Sequence, residues 1–418
     1  MILLAALMST AAALDPGPYT VSYRDERFFD GDAGLVWVRV HYPATRRAPG
    51  APADRPDGPF PVAAMMHGWL GSAWMYQEAA AHLASLGVVV VNMDTQTGPF
   101  LDIPSFARQT RAALRWAEDR GADPSHWLYG MADGGDFIAM GHSMGGATLA
   151  HLTDIEPRVS TLVGFMPYAS DDPDDHTAMT VFSGDALYIA GSLDTTSTPD
   201  IVHDWYDRMT ETEHGLFVEV DGLGHQAISD VDFGEEPLSN EEQRDIILEI
   251  ATDFLRAERL GEPDLLQGVL RAPPRPLTDR ASHSLDPMTW ATPTDPGQAT
   301  VTVAGPRVGV ASVFAGRGPG RTDTPAGPIG LRDAVEVGAV TLADGLGEAT
   351  VELPPALAGL AWVQALIPYE GSTLIGPAVD VYGVGDPGPA PGRPTPGRRG
   401  PPNAEPTPAA GARRAPCG

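Results

Sequence analysis

The sequence predicts a doubly wound α/β domain built on eight mostly parallel strands, followed by a smaller all-β domain. Three observations carry this. From Thr20 to about Leu260, short apolar runs alternate with helix-length segments. Several of the runs, such as Val88-Val89-Val90-Val91, are continuously β-branched, as strands buried on both faces of a parallel sheet require. From Ala299 to Gly383 the helical patterns stop, and short strand-like runs recur between Gly and Pro turns. Interleaved strands and helices wind a sheet that is covered on both faces. Closely spaced strands with turn signals suit a β-sandwich.

Taken in order, Met1 to Ala13 is almost wholly apolar and ends in Ala11-Ala12-Ala13, a small-residue pattern that signal peptidase accepts. It lacks a positive leader, so residues 1–14 read as a truncated signal segment and imply a secreted or cell-surface protein. The α/β domain is expected over 15–260. Its strands fall at Thr20–Arg24, Gly34–Tyr42, Pro61–His67, Gly87–Met93, Asp136–His142, Val159–Phe165, Ala186–Gly191 and Gly215–Val220. Between them, Phe106, Ala113, Leu114 and Ala117 share one helical face. Ile246, Ile247, Ile250, Phe254 and Leu255 share another, in a last helix opened by Ser239 and Glu242 at capping-box spacing. Residues 261–297, rich in Pro, Arg, Asp and Thr, read as a linker. Residues 298–384 read as a β-sandwich accessory domain, with strands near 299–303, 308–314, 335–342, 349–353, 361–367 and 378–382. Residues 385–418 carry almost no large apolar side chain and are expected to be disordered.

Charge and composition exclude several function classes. The 418 residues hold 27 basic and 55 acidic side chains, a formal net charge of −28, and every basic residue except histidine is arginine. Such a surface repels phosphates, so no nucleic-acid partner is expected. No internal run of eighteen apolar residues occurs, so no integral membrane span is expected. Cys417 is the single cysteine, which rules out an internal disulfide, a thiolate metal site and a cysteine nucleophile in the core.

The chemistry concentrates at Asp136–Ala150, which reads strand, then Gly141-His142-Ser143-Met144-Gly145, then helix. This is a G-x-S-x-G nucleophile elbow in its required context, and it makes the domain an α/β-hydrolase fold. The turn is cramped, so glycine is needed two residues before and after the serine. Ser143 is the expected nucleophile, and the Met144 N–H at the helix start faces the place where an oxyanion forms. The chain order of this fold is Ser, acid, His. Asp194 follows the strand Ala186–Gly191 and His225 follows Gly215–Val220, each at the carboxyl edge of the sheet. Asp185 and His214 precede those strands and lie at the wrong edge. His225 then accepts the Ser143 proton while Asp194 fixes its tautomer, and activity is expected to rise through roughly pH 6 to 7 as the imidazole deprotonates. A second oxyanion donor is expected from His67-Gly68-Trp69-Leu70-Gly71, with the Trp69 N–H preferred over that of Leu70. His67 and His142 read as structural. No cofactor or metal is called for. The acidic run Asp171, Asp172, Asp174 and Asp175 could ligate Ca²⁺ but reads as a solvated loop.

These residues resemble the secreted dienelactone-hydrolase-like esterases and, within them, bacterial cutinases and poly(ethylene terephthalate) hydrolases. The resemblance spans about Pro18 to Leu255. It rests on Gly-His-Ser-Met-Gly-Gly at 141–146, the glycine turn at 67–71, the run Gly87–Asp94, and the acid and histidine loops. It implies a serine carboxylic-ester hydrolase that works through an acyl-enzyme, with an oxyanion hole from the backbone N–H groups of Trp69 and Met144. It also implies a substrate clamp from the Trp69 and Tyr168 side chains. Departures are the missing disulfide, His67, and Ala147 where a third glycine is common, and they bear on polyester hydrolysis rather than on reaction class. Similar elbows serve lipases and platelet-activating-factor acetylhydrolases. A peptidase of this fold would carry a propeller or helical cap, and a non-catalytic surface-binding protein on the same scaffold would carry a degenerate triad. With no apolar helical insertion between Tyr168 and Ala186, the expected partner is an ester, small or polymeric. The accessory β domain is expected either to contact a polymer or cell surface or merely to space the enzyme from its anchor.

Overall fold

The computed structural model describes residues 14–381, apart from 15, 56, 170–172, 232–236, 261, 263–268, 270–272, 285–287, 296, 307, 325–326, 358–360, 370–371 and 376–378. The expected signal segment (Leu14 aside) and the C-terminal tail lie outside the described residues.

The first sheet has nine strands in the order β1-β2-β4-β3-β5-β6-β7-β8-β9. They are β1 (Val21–Asp30), β2 (Gly34–Pro43), β3 (Phe60–Met66), β4 (Val89–Met93), β5 (Ala132–His142), β6 (Val159–Phe165), β7 (Asp185–Gly191), β8 (His214–Val220) and β9 (Leu277–Ser284). Strands β3 to β8 run parallel, while β1, β2 and β9 pair antiparallel. Among the described residues, six helices cover the two faces: α1 (Gln77–Ser85), α2 (Ile103–Ala122), α3 (Met144–Ile155), α4 (Pro173–Val181), α5 (Pro199–Arg208) and α6 (Asn240–Arg259).

The β-branched runs explain the two-sided packing. Alternate residues of a strand point to opposite faces. Val62, Ala64, Met66, Val89, Val91 and Met93 therefore enter one core with Phe106, Leu114 and Leu149 of α2 and α3. Ala63, Met65 and Val90 enter the other with Leu83 of α1 and Ile247, Ile250 and Phe254 of α6. Fully burying each such large side chain contributes roughly 1.5–3 kcal/mol. At the start of α6, Ser239 accepts from the Glu242 N–H while Glu242 accepts from the Ser239 N–H at 2.9 Å, completing the capping box.

Two expectations need correction. The segment 261–297 is not a plain linker, and the first sheet has nine strands rather than eight. Residues 277–284 form β9, registered along the whole of β8, and β10 (Met288–Asp295) opens the second sheet. An edge strand with one face to solvent shows no apolar run: Ala281 is buried in β9 while Thr278, Asp279 and Arg280 are exposed. Helix α4 lies between β6 and β7, where a helix-length segment is expected, and its weak apolar face buries little beyond Asp175, Ala178 and Met179. It carries Asp174 and Asp175, whereas Asp171 and Asp172 lie outside the described residues.

The C-terminal region is all-β, as expected. Its remaining strands are β11 (Gln298–Ala304), β12 (Val308–Gly316), β13 (Pro319–Thr324), β14 (Gly327–Leu331), β15 (Val335–Ala343), β16 (Leu346–Glu352), β17 (Trp362–Tyr369), β18 (Ser372–Ile375) and β19 (Val379–Asp380). Every pairing is antiparallel. The strands join one eight-stranded sheet and a separate β13–β14 hairpin. Val301, Val303, Val313, Val340, Leu342, Val363 and Ile367 supply its core. Among the described residues, no helix is long and apolar enough to cross a membrane.

Candidate active site

Ser143 stands between the last residue of β5 and the first of α3, with φ +52° and ψ −118°. A non-glycine residue rarely adopts positive φ, and a strained conformer persists only where its surroundings hold it. Here the glycines hold it. A Cβ on Gly141 would overlap the Gly145 carbonyl, and one on Gly145 would overlap the Met66 carbonyl on β3. The Ser143 N–H donates to Phe165 O at 3.2 Å, and its carbonyl accepts from the Tyr168 N–H at 2.9 Å. The serine is thus pinned by its own backbone while Oγ stays at the carboxyl edge of the sheet.

Two later loops bring the other side chains to the same edge. Asp194 follows β7 and is buried, and its Oδ1 accepts from the N–H groups of Thr196 (2.7 Å) and Ser197 (2.9 Å). The run Asp194-Thr195-Thr196-Ser197 is a sequence signal for such an Asx turn that the sequence reading passed over. The other oxygen, Oδ2, lies 2.7 Å from His225 Nδ1, and His225 Nε2 lies 3.0 Å from Ser143 Oγ. A carboxylate that takes two backbone N–H bonds acts as an acceptor, so Nδ1 carries the ring proton and Nε2 turns a lone pair to the hydroxyl. The three expected residues therefore meet in one hydrogen-bonded chain.

The glycine turn lies directly beside them. The Gly71 N–H donates to Gly68 O at 2.9 Å, with Leu70 at φ +58°. A Cβ on Gly68 would stand 3.1 Å from His142 Nδ1 and 3.2 Å from Ser143 Cβ, so the turn packs against the elbow. Trp69, an expected oxyanion donor, follows Gly68 on this turn, and Met144, the other, is the first residue of α3. The first N–H groups of a helix have no intrahelical acceptor. The Trp69 side chain is exposed, its indole N–H fixed to Pro99 O at 2.9 Å. Tyr168 is exposed as well, and its carbonyl accepts from Trp205 Nε1 at 3.1 Å. Leu70, Trp74, Phe100 and Leu193 add further exposed apolar surface on the same loops.

The two histidines that read as structural are both buried. His67 sets Nδ1 at 2.8 Å from Gly68 O and Nε2 at 2.7 Å from Thr95 O. Burial pushes its pKa down and the two carbonyls pull it up, with a net lowering. His142 contacts Tyr76 and the His225 carbonyl, and burial with the nearby His225 pushes its pKa down to about 3. Tyr76 was missed in the sequence, because its partner lies 66 residues away and no spacing rule links them.

Asp185 and His214 stand at the opposite edge, where β7 and β8 begin, and they pair with each other and with Glu258. His214 Nδ1 lies 3.3 Å from Asp185 Oδ1 and 2.9 Å from Glu258 Oε2. Burial lowers the His214 pKa, but hydrogen bonds and charge from the two carboxylates outweigh it and raise the value to about 10. Ligand-type atoms of these three residues lie within 4.8 Å of one another. The three side chains form a largely buried ion cluster.

Residues 20–235 match the family model described as PETase, PET hydrolase-like. Curated relatives include Cutinase 2 of Thermobifida cellulosilytica, 28% identical over 218 residues, which are 50% of this chain and 73% of that protein. Cutinase cut1 of Thermobifida fusca is 28% identical over 218 residues, covering 50% of this chain and 60% of the relative. Cutinase est2 of Thermobifida alba is 28% identical over 217 residues, covering 50% and 64%. The chain thus spans less than two thirds of the length of the last two.

Proposed function

The chain belongs to the PET hydrolase-like family, and from that premise we propose that it hydrolyses carboxylic esters with Ser143 as nucleophile, His225 as base and Asp194 as the acid. The observation that carries this is the 3.0 Å approach of His225 Nε2 to Ser143 Oγ at a strained serine, with Asp194 on the far ring nitrogen.

In the proposed mechanism, Ser143 Oγ attacks the ester carbonyl carbon and its proton passes to His225 Nε2. The oxyanion is held by the N–H groups of Met144 and Trp69, worth about 10²–10³-fold each. The leaving alkoxide takes the proton from Nε2, and the alcohol departs. Water then gives a proton to Nε2 and attacks the acyl carbon, and the proton returns to Ser143 Oγ as the acid leaves. Asp194 stabilises the imidazolium in both halves.

Bulky or polymeric esters, polyester included, fit the site better than dispersed triglyceride. Trp69 and Tyr168 are half-exposed beside Ser143, and an apolar rim on open loops suits a chain laid across the surface. In this reading the product is secreted, residues 15–260 supply the catalytic domain, and the C-terminal β domain meets a polymer or cell surface. Ester hydrolysis is tested with p-nitrophenyl butyrate and fluorophosphonate labelling of wild type and Ser143→Ala. Wild type should turn over and label, and the variant should do neither. A wild type inert to both would sink the reading. A polyester film that releases no soluble acid would remove the polymer half alone.

A further inference from the structure

We propose that Tyr76 and His142 form a buried positioning relay that ties the oxyanion turn to the loop of His225, so that both halves of the catalytic apparatus are set by one hydrogen-bonded chain. The proposal rests on the ester-hydrolase reading above for its effect on rate, though not for its geometry.

The chain has three links. The Gly68 N–H donates to the Tyr76 hydroxyl oxygen at 3.1 Å. Tyr76 Oη and His142 Nδ1 lie 2.7 Å apart. His142 Nε2 lies 2.7 Å from the backbone carbonyl of His225. Each direction is forced. A carbonyl can only accept, so Nε2 must carry a proton. The His142 ring is fully buried and burial holds it neutral, so Nδ1 is bare and the tyrosine O–H must donate to it. The Tyr76 oxygen then has a lone pair to spare, and the Gly68 N–H occupies it. No polar atom in the chain is left over.

Each end meets a part of the apparatus that must be placed finely. Gly68 precedes Trp69, a proposed oxyanion donor, and the turn packs on Ser143 Cβ. The His225 carbonyl belongs to the residue whose Nε2 faces Ser143 Oγ. A second tie reinforces the link. Tyr76 ends a 3-10 turn (Ala73–Tyr76), whose Met75 carbonyl accepts from the Asp230 N–H at 2.6 Å. Asp230 Oδ2 in turn accepts from the Gln77 N–H at 2.7 Å. The loop that carries His225 is thus strapped twice to the segment that follows the oxyanion turn.

Removing the tyrosine hydroxyl leaves the Gly68 N–H without its acceptor and His142 Nδ1 without its donor. The His225 carbonyl still holds the proton on Nε2, so the tie between the oxyanion turn and the base loop is what is cut. Tyr76→Phe keeps the ring and loses only this tie. Its kcat for p-nitrophenyl butyrate should fall about 10- to 100-fold, as loss of one buried hydrogen bond near the transition state implies, with KM changed by less than about twofold. Purely structural packing would instead lower the melting temperature and leave kcat of the folded fraction unchanged, which would overturn the proposal.

The decisive readout is taken on the wild-type protein. Nitrogen-15 NMR of histidine-labelled wild type, with His142 assigned from its missing signal in His142→Asn, should show protonated Nε2 and bare Nδ1 from pH 5 to 9. A protonated Nδ1, or averaging of the two tautomers, refutes the relay. An enzyme inert to esters and fluorophosphonate would instead fail the functional reading while the tautomer still decides the relay.

Discussion

Asp194→Asn probes the reasoning most sharply, because it changes one atom and almost no shape. In the structure Asp194 Oδ1 is committed to the N–H groups of Thr196 and Ser197, and Oδ2 faces His225 Nδ1 at 2.7 Å. Asparagine keeps its oxygen on the two backbone donors, because its NH₂ group cannot accept from them. The NH₂ group is thereby forced to face Nδ1 and can only donate. The imidazole must answer with a lone pair at Nδ1 and move its proton to Nε2, where it points at Ser143 Oγ 3.0 Å away. A base already protonated on the reacting side cannot accept the serine proton. A wrong tautomer of this kind costs on the order of 10⁴ in kcat, about 5.5 kcal/mol at 1.36 kcal/mol per factor of ten. Steady-state hydrolysis of p-nitrophenyl butyrate, corrected for the fraction titrated by a fluorophosphonate, measures it. The melting temperature should move little, since both backbone bonds survive. A kcat within about tenfold of wild type would refute the role given to Asp194.

Gly145→Ala should disrupt both stability and activity, because the new methyl meets the Met66 and His67 carbonyls and forces α3 off β3. Overpacking of this kind costs typically about 1–3 kcal/mol, read as a lower denaturation midpoint, and an unshifted midpoint would contradict the packing described. Ser239→Ala removes one half of the capping box on α6 and should cost about 1 kcal/mol in urea unfolding without altering kcat. His214 makes stability depend on alkaline pH: its pKa is raised from 6.5 to about 10 in the fold. The stabilisation is complete below the unfolded value and is lost as pH rises toward the folded one. Between pH 6.5 and 10 the melting temperature of wild type should fall more steeply than that of His214→Gln, and parallel curves would count against the ion cluster.

The parts of the molecule that were legible in the sequence are those where one residue type is forced by local geometry. Ser143 could be found because its cramped turn admits only glycine at positions 141 and 145. Asp194 and His225 could be found because each follows a parallel strand, and the carboxyl ends of such strands share one edge. The same logic set aside Asp185 and His214, which do pair, but at the other edge. Helix α6 announced itself through a full apolar face and Ser239. What stayed hidden depends on contacts between distant residues. Strand β9 is polar on its solvent side and acquires its identity only from β8. Tyr76 sits among ordinary helix-flanking residues, and nothing local reveals that its hydroxyl will meet His142.

Strand β9 also changes what a shortened protein would be. Its pairing fills the backbone donors and acceptors along the outer side of β8 from His214 to Val220. One further bond, from the Ser282 N–H to Asp344 O at 2.8 Å, stitches it to the turn between β15 and β16. Ending the polypeptide after α6 would retain Ser143, Asp194 and His225 yet leave a bare seven-residue ladder of amides. Such a ladder recruits any extended chain, including another copy of itself. Trimming the molecule to its reacting half would thus trade a well-behaved enzyme for a sticky one, and the accessory region serves partly as the chaperone of its neighbour's rim.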